Sequence, residues 1–178
     1  GEERVFEPGK ILDALDAEIR KFFKQESGKL QDGMDICLCM LDKKERKLFY
    51  AGARRPLYII KKQDTAVPTG TNGNPGFIEI KGTRKSIGGW NYRKSNVRFH
   101  THGFEIEELN MVYLTTDGFA DQFNPENKRF GSRQLKTVIR ENAHHPVKKQ
   151  GQALTEILDQ WQQNEPQCDD ITLLGIKC

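Results

Sequence analysis

Two stretches, VYLTTDGFADQ (112–122) and QCDDITLLGIK (167–177), decide the expected fold of this chain. The first is an apolar run that ends in an acid and a glycine, and the second begins with a pair of acids before another apolar run. Apolar runs bounded by turn residues predict buried strands, here over 111–116 and 171–177. If these strands are antiparallel neighbours, the end of the first lies beside the start of the second. We therefore expect their carboxylates to meet at one edge of a sheet.

Asp117 and Asp169 are the candidate metal ligands at this edge. Carboxylates brought close together repel each other, and a hard divalent cation such as Mg²⁺ or Mn²⁺ relieves the repulsion because it prefers oxygen ligands. Such an ion also acidifies a bound water into a nucleophile. Gly118 would let the chain turn away without a side chain that obstructs the ion. Each motif alone also has an ordinary explanation, since Asp-Gly is a common turn and an acid before a strand often faces water.

The remaining pattern predicts an α+β fold, an antiparallel β-sandwich flanked by helices, in a single domain over 1–178. Helical spacing of apolar residues predicts a first helix over 8–25 and two later helices around Leu135–Ile139 and Val147–Trp161. Three early strands with short connections predict an antiparallel meander. These three strands are 34–41, 47–52 and 57–62. Between them and the opening motif we expect a surface loop over 63–74 and strands at 77–80 and 97–101.

Composition argues against a nucleic-acid or membrane partner. The 28 basic and 25 acidic residues leave a net charge of only +3, whereas a duplex-binding surface concentrates positive charge on one face. The longest strictly apolar run, Ile36–Leu41, is far too short to cross a bilayer. The start, GEERVFEPGK, lacks the features of a secretory signal, so a cytoplasmic location is expected.

The four cysteines do not have the spacing of a zinc site or a disulfide framework. Cys37 and Cys39 alternate on one face of an apolar strand, and we expect them to be buried thiols. Cys168 adjoins Asp169, but a thiol is a soft ligand beside hard ones, so it is not expected to bind the metal.

The chain resembles the metal-dependent phosphatases of the protein phosphatase 2C superfamily, in the bacterial branch that includes stage II sporulation protein E and the regulators of stress sigma factors. TTDGFADQF and QCDDIT are the specific matching motifs. Supporting segments occur in the family's order over most of the chain. They are DGMDICLCMLD (32–42), LFYAGARRPLYII (48–60), SIGG (86–89) and KRFGSRQLKTVI (128–139).

This resemblance implies a serine/threonine protein phosphatase with a two-metal Mn²⁺ or Mg²⁺ centre, whose bridging water attacks a phosphoserine or phosphothreonine. It implies that Asp117 bridges the metals, that Asp169 binds one of them, and that Gly118 shapes the turn. Asp170 and Asp121 either position a water or a ligand, or serve turn geometry and hydrogen bonding, and Asp170 is counted as a candidate metal ligand. The implied substrate is a phosphorylated regulatory protein such as an anti-sigma-factor antagonist.

The family also supplies an essential acid and a glycine carbonyl from an earlier segment, and nothing of that kind precedes Phe6. The resemblance therefore implies a domain that is incomplete at its N-terminus, with weak metal binding or inactivity of this chain alone. Exposed sheet edges would then favour a homodimer. A non-catalytic phosphatase-like binding module is the alternative. Arg54 and Arg55 either attract a phosphorylated partner or lie in a solvated turn, and Ala53 replaces an acid that binds a third metal in some relatives.

Overall fold

The computed structural model describes residues 7–23, 33–62, 76–89 and 96–178. The described residues divide into two compact units, one from Gly1–Leu57 with Glu79–Glu108, the other from Tyr58–Ile78 with Leu109–Cys178. Helices combine with antiparallel ladders, which confirms the predicted α+β class. The single domain over 1–178 stays a prediction. None of the helices in these ranges has both the length and the apolar composition needed to span a membrane.

The helices and strands are numbered in chain order. The helices are α1 (Pro8–Phe22), α2 (Gly118–Asp121), α3 (Ser132–Asn142) and α4 (Val147–Gln162), with a 3₁₀ turn at Ile106–Glu108. The strands are β1 (Gly33–Met34), β2 (Ile36–Asp42), β3 (Lys47–Ala53), β4 (Leu57–Lys61), β5 (Phe77–Ile80), β6 (Ile87–Gly88), β7 (His102–Glu105), β8 (Leu109–Thr115) and β9 (Leu173–Lys177).

In the first unit, α1 packs against a sheet of order β2-β3-β7 and a short β1-β6 ladder. Pro8 suits the first turn of α1 because the missing N–H has no intrahelical partner there. The buried core cluster of the unit consists of apolar residues from α1, β3 and β6 and from the segment before β7. They are Leu12, Ala51, Ala53, Ile87 and Phe99. Phe22 at the end of α1 is 80% exposed, so the predicted apolar face is only partly covered.

A buried ion pair connects α1 to the segment before β6. The Lys85 ammonium lies 2.7 Å from Asp16 Oδ2, and the two side chains are only 2% and 7% exposed. Asp16 Oδ1 also accepts hydrogen bonds from Arg20 Nε at 2.9 Å and from the Gly88 N–H at 2.7 Å. Four charged or polar groups therefore satisfy one another around a buried ion pair.

The second unit contains the helices α2, α3 and α4, the strands β8 and β9, most of β4 and the first half of β5, and these four strands form a sheet of order β5-β4-β8-β9. Its core combines strand residues with the apolar faces of α3 and α4. The buried members are Tyr58, Ile60, Met111, Tyr113, Phe119, Phe130, Leu135, Val138, Ile139, Ala143 and Leu154. Gln150 satisfies the buried Tyr113 hydroxyl at 2.7 Å and donates to the carbonyls of Ala143 and His145.

The predicted strand at 97–101 is wrong. Phe99 is buried, which produces the alternating pattern, but its N–H donates to Asp13 Oδ1 and the His100 N–H donates to Thr83 Oγ1. Side chains thus satisfy the backbone donors that a strand would use in a ladder. The strand begins at His102 instead.

The predicted three-strand meander is correct only for its first hairpin. β2 and β3 pair antiparallel, but the other neighbour of β3 is β7, and β4 lies between β5 and β8. The connecting residue Arg54 has a left-handed backbone (φ 57°), and Pro56 lacks an N–H for a ladder. The chain therefore leaves the first sheet at this turn. The predicted loop at 63–74 and the predicted helix end at 24–25 lie outside the described residues.

Candidate metal centre

The end of β8 and the start of β9 lie side by side, as the sequence predicted. The two strands pair antiparallel, with Thr115 opposite Leu173. Beyond the ladder, the Thr116 N–H donates to the Thr172 carbonyl at 3.0 Å. The segments that carry Asp117 and Asp169 therefore belong to the same edge of the sheet.

The Thr116 hydroxyl joins the two segments directly. It donates to the Asp170 carbonyl at 2.7 Å and accepts from the Thr172 N–H at 2.9 Å. A β-branched residue is restricted at χ1, so the hydroxyl is held in position at little cost in side-chain entropy. Because Thr116 directly precedes Asp117, this hydrogen bond fixes the backbone of Asp170 beside the residue next to Asp117.

Asp117 lies at the N-terminus of α2, where the sequence suggested only a turn. Its backbone is helical (φ −81°, ψ −19°), and its side chain makes no capping hydrogen bond to the helix. The Asp117 carbonyl accepts the Asp121 N–H at 2.9 Å, which closes the single turn of α2. The carboxylate is therefore not used as the cap of its own helix.

Gly118 is required by the backbone that packs against it. A Cβ atom there would lie 2.5 Å from the Asp170 carbonyl oxygen and 3.0 Å from Ile171 Cγ1. Atoms this close would force the two segments apart. From the sequence, Gly118 is expected to leave room for an ion, and the structure adds a steric role, because the missing Cβ lets the two acidic segments approach each other.

The other acids differ in their contacts. Asp169 is exposed, and its Oδ1 accepts the Asp170 N–H at 2.7 Å. Asp121 Oδ1 lies 3.4 Å from Arg129 Nη1 in an exposed ion pair. This contact favours the hydrogen-bonding alternative for Asp121. Within the described residues, no three His, Cys, Asp or Glu side chains come close enough together to hold a metal ion.

Gln122, which directly follows α2, was not among the functional residues predicted from the sequence. It is fully buried, with an exposed fraction of 0%, and its amide contacts the segment that precedes Asp169. The sequence around Gln122 does not indicate these contacts, because its partners lie 44 and 46 residues further along the chain.

Of the two arginines that the sequence offered as phosphate contacts, Arg55 forms an ion pair within the first unit. Arg55 Nη2 lies 3.2 Å from Asp35 Oδ2, with the two side chains 18% and 28% exposed, and the Ser86 hydroxyl donates to Asp35 Oδ1 at 2.5 Å. Arg54 is exposed on the left-handed turn. The ion pair gives Arg55 a structural role within its own unit.

All four cysteines are free thiols. Cys37 and Cys39 are half-buried rather than buried. Burial raises the pKa of the Cys39 thiol to about 12, and the nearby Cys37 adds to this effect. The group is therefore a neutral thiol at physiological pH. Cys168 is exposed.

The fold is that of known phosphatase domains. The SiaA-PP2C domain of Pseudomonas aeruginosa is 28% identical and has a TM-score of 0.74, and the match covers 97% of this chain and 61% of that one. The phosphatase domain of the cell fate determinant SpoIIE from Bacillus subtilis is 11% identical with a TM-score of 0.50, and the match covers 99% and 76%. The mixture of helices and antiparallel sheets is therefore a PP2C-like phosphatase fold. The family model for stage II sporulation protein E (SpoIIE) matches residues 2–178, and the chain belongs to this family.

A bacterial serine phosphatase that carries a point mutation has the same fold, at 11% identity and a TM-score of 0.59, over 95% of this chain and 64% of that one. The chain thus spans about three-fifths of the length of the first structures that it matches. The search of curated proteins found no match.

Proposed function

We propose that this chain is part of a metal-dependent protein serine/threonine phosphatase. The observation that carries the proposal is the antiparallel β8–β9 pair, which brings the segments of Asp117 and Asp169 to one sheet edge. Membership of a family with phosphatase domains supports the same activity. One of the B. subtilis SpoIIE structures was presoaked with Mn, which is consistent with Mn²⁺ as the ion.

The acids at this edge fit Mn²⁺ or Mg²⁺ in their chemistry, because both ions prefer carboxylate and carbonyl oxygens. Their number is too small, since no three such side chains cluster in the described part of the chain. Asp117 and Asp169 would hold the ions, with Asp170 as a further ligand or a hydrogen-bonding residue, and other parts of the protein would complete the set. When bound, the ions would activate water and neutralise the charge that develops on the phosphoryl oxygens.

The contribution of this chain is to hold its carboxylates in a fixed arrangement. The Thr116 hydroxyl and the close approach at Gly118 both fix the backbone of Asp170 against the start of α2. Ligands that are positioned before the ion binds avoid an ordering cost at the moment of binding. We infer that these contacts raise metal affinity and keep the two acids at a constant separation.

The proposed substrate is a phosphoserine or phosphothreonine on a cytoplasmic regulatory protein such as an anti-sigma-factor antagonist.

We also propose a homodimer. Leu174 and Ile176 of β9 are 53% and 39% exposed, and β9 is the last strand of its sheet in the described ranges. Exposed apolar edges favour pairing with another chain. Light scattering after size-exclusion chromatography should give a dimer, and a monomer at high concentration would contradict it.

The test uses the full-length protein that contains this chain and a phosphoserine peptide. We expect Mn²⁺-dependent release of phosphate, with a loss of at least about 100-fold in Asp117→Asn and in Asp169→Asn, as expected for removal of a group that positions the reacting centre. Asp159→Asn is the matched control, because this aspartate is exposed on α4. Unchanged activity in the Asp117 and Asp169 variants would refute the site.

The alternative is a phosphatase-like binding module that recognises its partner without hydrolysis. Such a module would need only the shared fold and not a complete set of metal ligands. A full-length protein that binds a phosphorylated partner, releases no phosphate at any Mn²⁺ or Mg²⁺ concentration and is unaffected by Asp117→Asn would support the module over the enzyme.

A further inference from the structure

The side chain of Gln122 makes hydrogen bonds to the acidic loop before β9, which comprises residues 166–170. Its Nε2 donates to the Pro166 carbonyl at 3.0 Å and to the Phe123 carbonyl at 3.2 Å. Its Oε1 accepts the Cys168 N–H at 3.2 Å. Both ends of the amide are therefore used, and two of the three partners lie in the loop that leads to Asp169.

The backbone of Gln122 is held as firmly as its side chain. Its carbonyl accepts the Trp161 Nε1–H at 3.1 Å and the Phe130 N–H at 2.9 Å. Both aromatic rings pack in the core of the second unit, where they meet edge to face with 5.3 Å between centroids. The amide thus projects from a position that the core fixes.

The loop between α4 and β9 needs such an attachment. Residues 166–170 are all exposed and have no regular secondary structure. Thr116 holds the loop at Asp170 on the strand side, and Gln122 holds it at Pro166 and Cys168 on the other side. Asp169 lies between the two attachments, so its backbone has little freedom to move away from α2.

We propose that Gln122 is a positioning residue that sets Asp169 for metal binding, although Gln122 itself is not a ligand. The inference rests on the proposed metal-dependent function. Residues that orient metal ligands through hydrogen bonds commonly change metal affinity by 10–100-fold when they are replaced. The metal affinity of this site therefore depends on a buried amide behind the acidic loop.

Two substitutions separate the hydrogen bonds from the volume of the side chain. Gln122→Met keeps a similar size but cannot donate to Pro166 and offers the Cys168 N–H only a weak sulfur acceptor. When ionised, the side chain of Gln122→Glu keeps the acceptor for the Cys168 N–H but replaces the donor to Pro166 with an oxygen. Gln160→Met is the matched control, because this glutamine is exposed on α4.

The full-length protein should be compared by Mn²⁺ titration calorimetry, amide hydrogen exchange and phosphopeptide kinetics. We expect Gln122→Met to raise the Mn²⁺ dissociation constant by about 10-fold or more. Exchange at residues 168–172 should become faster, while KM for the peptide stays unchanged. Because the ligands remain, saturating Mn²⁺ should restore kcat to within about 3-fold of wild type. Gln122→Glu should show the same pattern, and Gln160→Met should match wild type.

A folded Gln122→Met protein with wild-type Mn²⁺ affinity and wild-type exchange at 168–172 would overturn the proposal, as would a loss of kcat that Mn²⁺ does not restore. The wild-type protein gives a test that needs no variant, since the Cys168 amide must be protected from exchange although its residue is exposed. Rapid exchange there would also overturn it. If wild type neither binds Mn²⁺ nor hydrolyses the peptide, the proposed function fails, and the exchange data separately decide whether Gln122 holds the loop.

Discussion

Replacing Lys85 with methionine should destabilise the first unit strongly. The side chain is 2% exposed, and its ammonium pairs with Asp16 at 2.7 Å and donates to the Val97 carbonyl at 2.9 Å. It also lies over the Phe99 ring, 4.7 Å from the centroid. Methionine fills most of the same space, so the change removes the charge and its hydrogen bonds while it leaves no large cavity.

The expected cost is about 3 kcal/mol in the free energy of unfolding. Removal of one partner from a buried ion pair costs about 3–5 kcal/mol, because the remaining charge stays buried without compensation. Arg20 continues to donate to Asp16 at 2.9 Å, which places the expected value at the lower end of this range. Urea denaturation followed by circular dichroism measures the change.

Two controls test the reasoning. Lys10→Met removes an exposed ion pair from the same helix, since Lys10 and Glu7 are 74% and 38% exposed, and it should cost less than about 1 kcal/mol. In the double variant Asp16→Asn, Lys85→Met the buried charge is gone, so the cost should be smaller than the sum of the single changes. A loss below about 1 kcal/mol in Lys85→Met, or additive single changes, would refute the argument.

The remaining predictions concern the second unit. Gly118→Ala should abolish Mn²⁺ binding in calorimetry, because its Cβ would lie 2.5 Å from the Asp170 carbonyl oxygen, whereas Gly151→Ala on α4 meets nothing within 4 Å and should stabilise the protein by about 0.5–1 kcal/mol. Equal Mn²⁺ affinity in the two variants would contradict this prediction. Tyr113→Phe leaves Gln150 Oε1 without its donor and should cost about 1–3 kcal/mol in urea unfolding at pH 7. Burial raises the pKa of Tyr113 from 10.0 to about 12, so its contribution is complete below pH 10 and is lost as the pH rises towards 12. Wild type should therefore lose more stability than Tyr113→Phe between pH 9 and 11, and parallel curves would exclude the effect.

Several elements could be predicted from the sequence because their pattern arises locally. The strand at 77–80 has the predicted bounds, and β3 and β4 each differ from prediction by one residue. The neighbouring β8 and β9 were also predicted correctly, because two long apolar runs with acids at opposite ends allow few other arrangements.

The wrongly predicted strand at 97–101 lies where distant side chains replace a ladder. The alternation over 97–101 reflects burial of Phe99, but Asp13 and Thr83 bind the backbone donors that would have formed a strand. Nothing within those five residues reveals that these acceptors are near. Periodicity reports which side of the chain is buried, and it does not report what the backbone binds.

The same limit separates Asp117 from Gln122 within the candidate site. An acid directly after a buried strand can be recognised from the sequence, because a charged residue is unexpected next to an apolar run. The sequence does not single out a glutamine in this way, because its role depends on neighbours that only the structure shows. Its complete burial and its bonds to Pro166 and Cys168 exist only because α2 packs against a loop more than forty residues away. The residues expected to bind the metal were therefore found from the sequence, whereas the residue that we propose holds them in place required the structure.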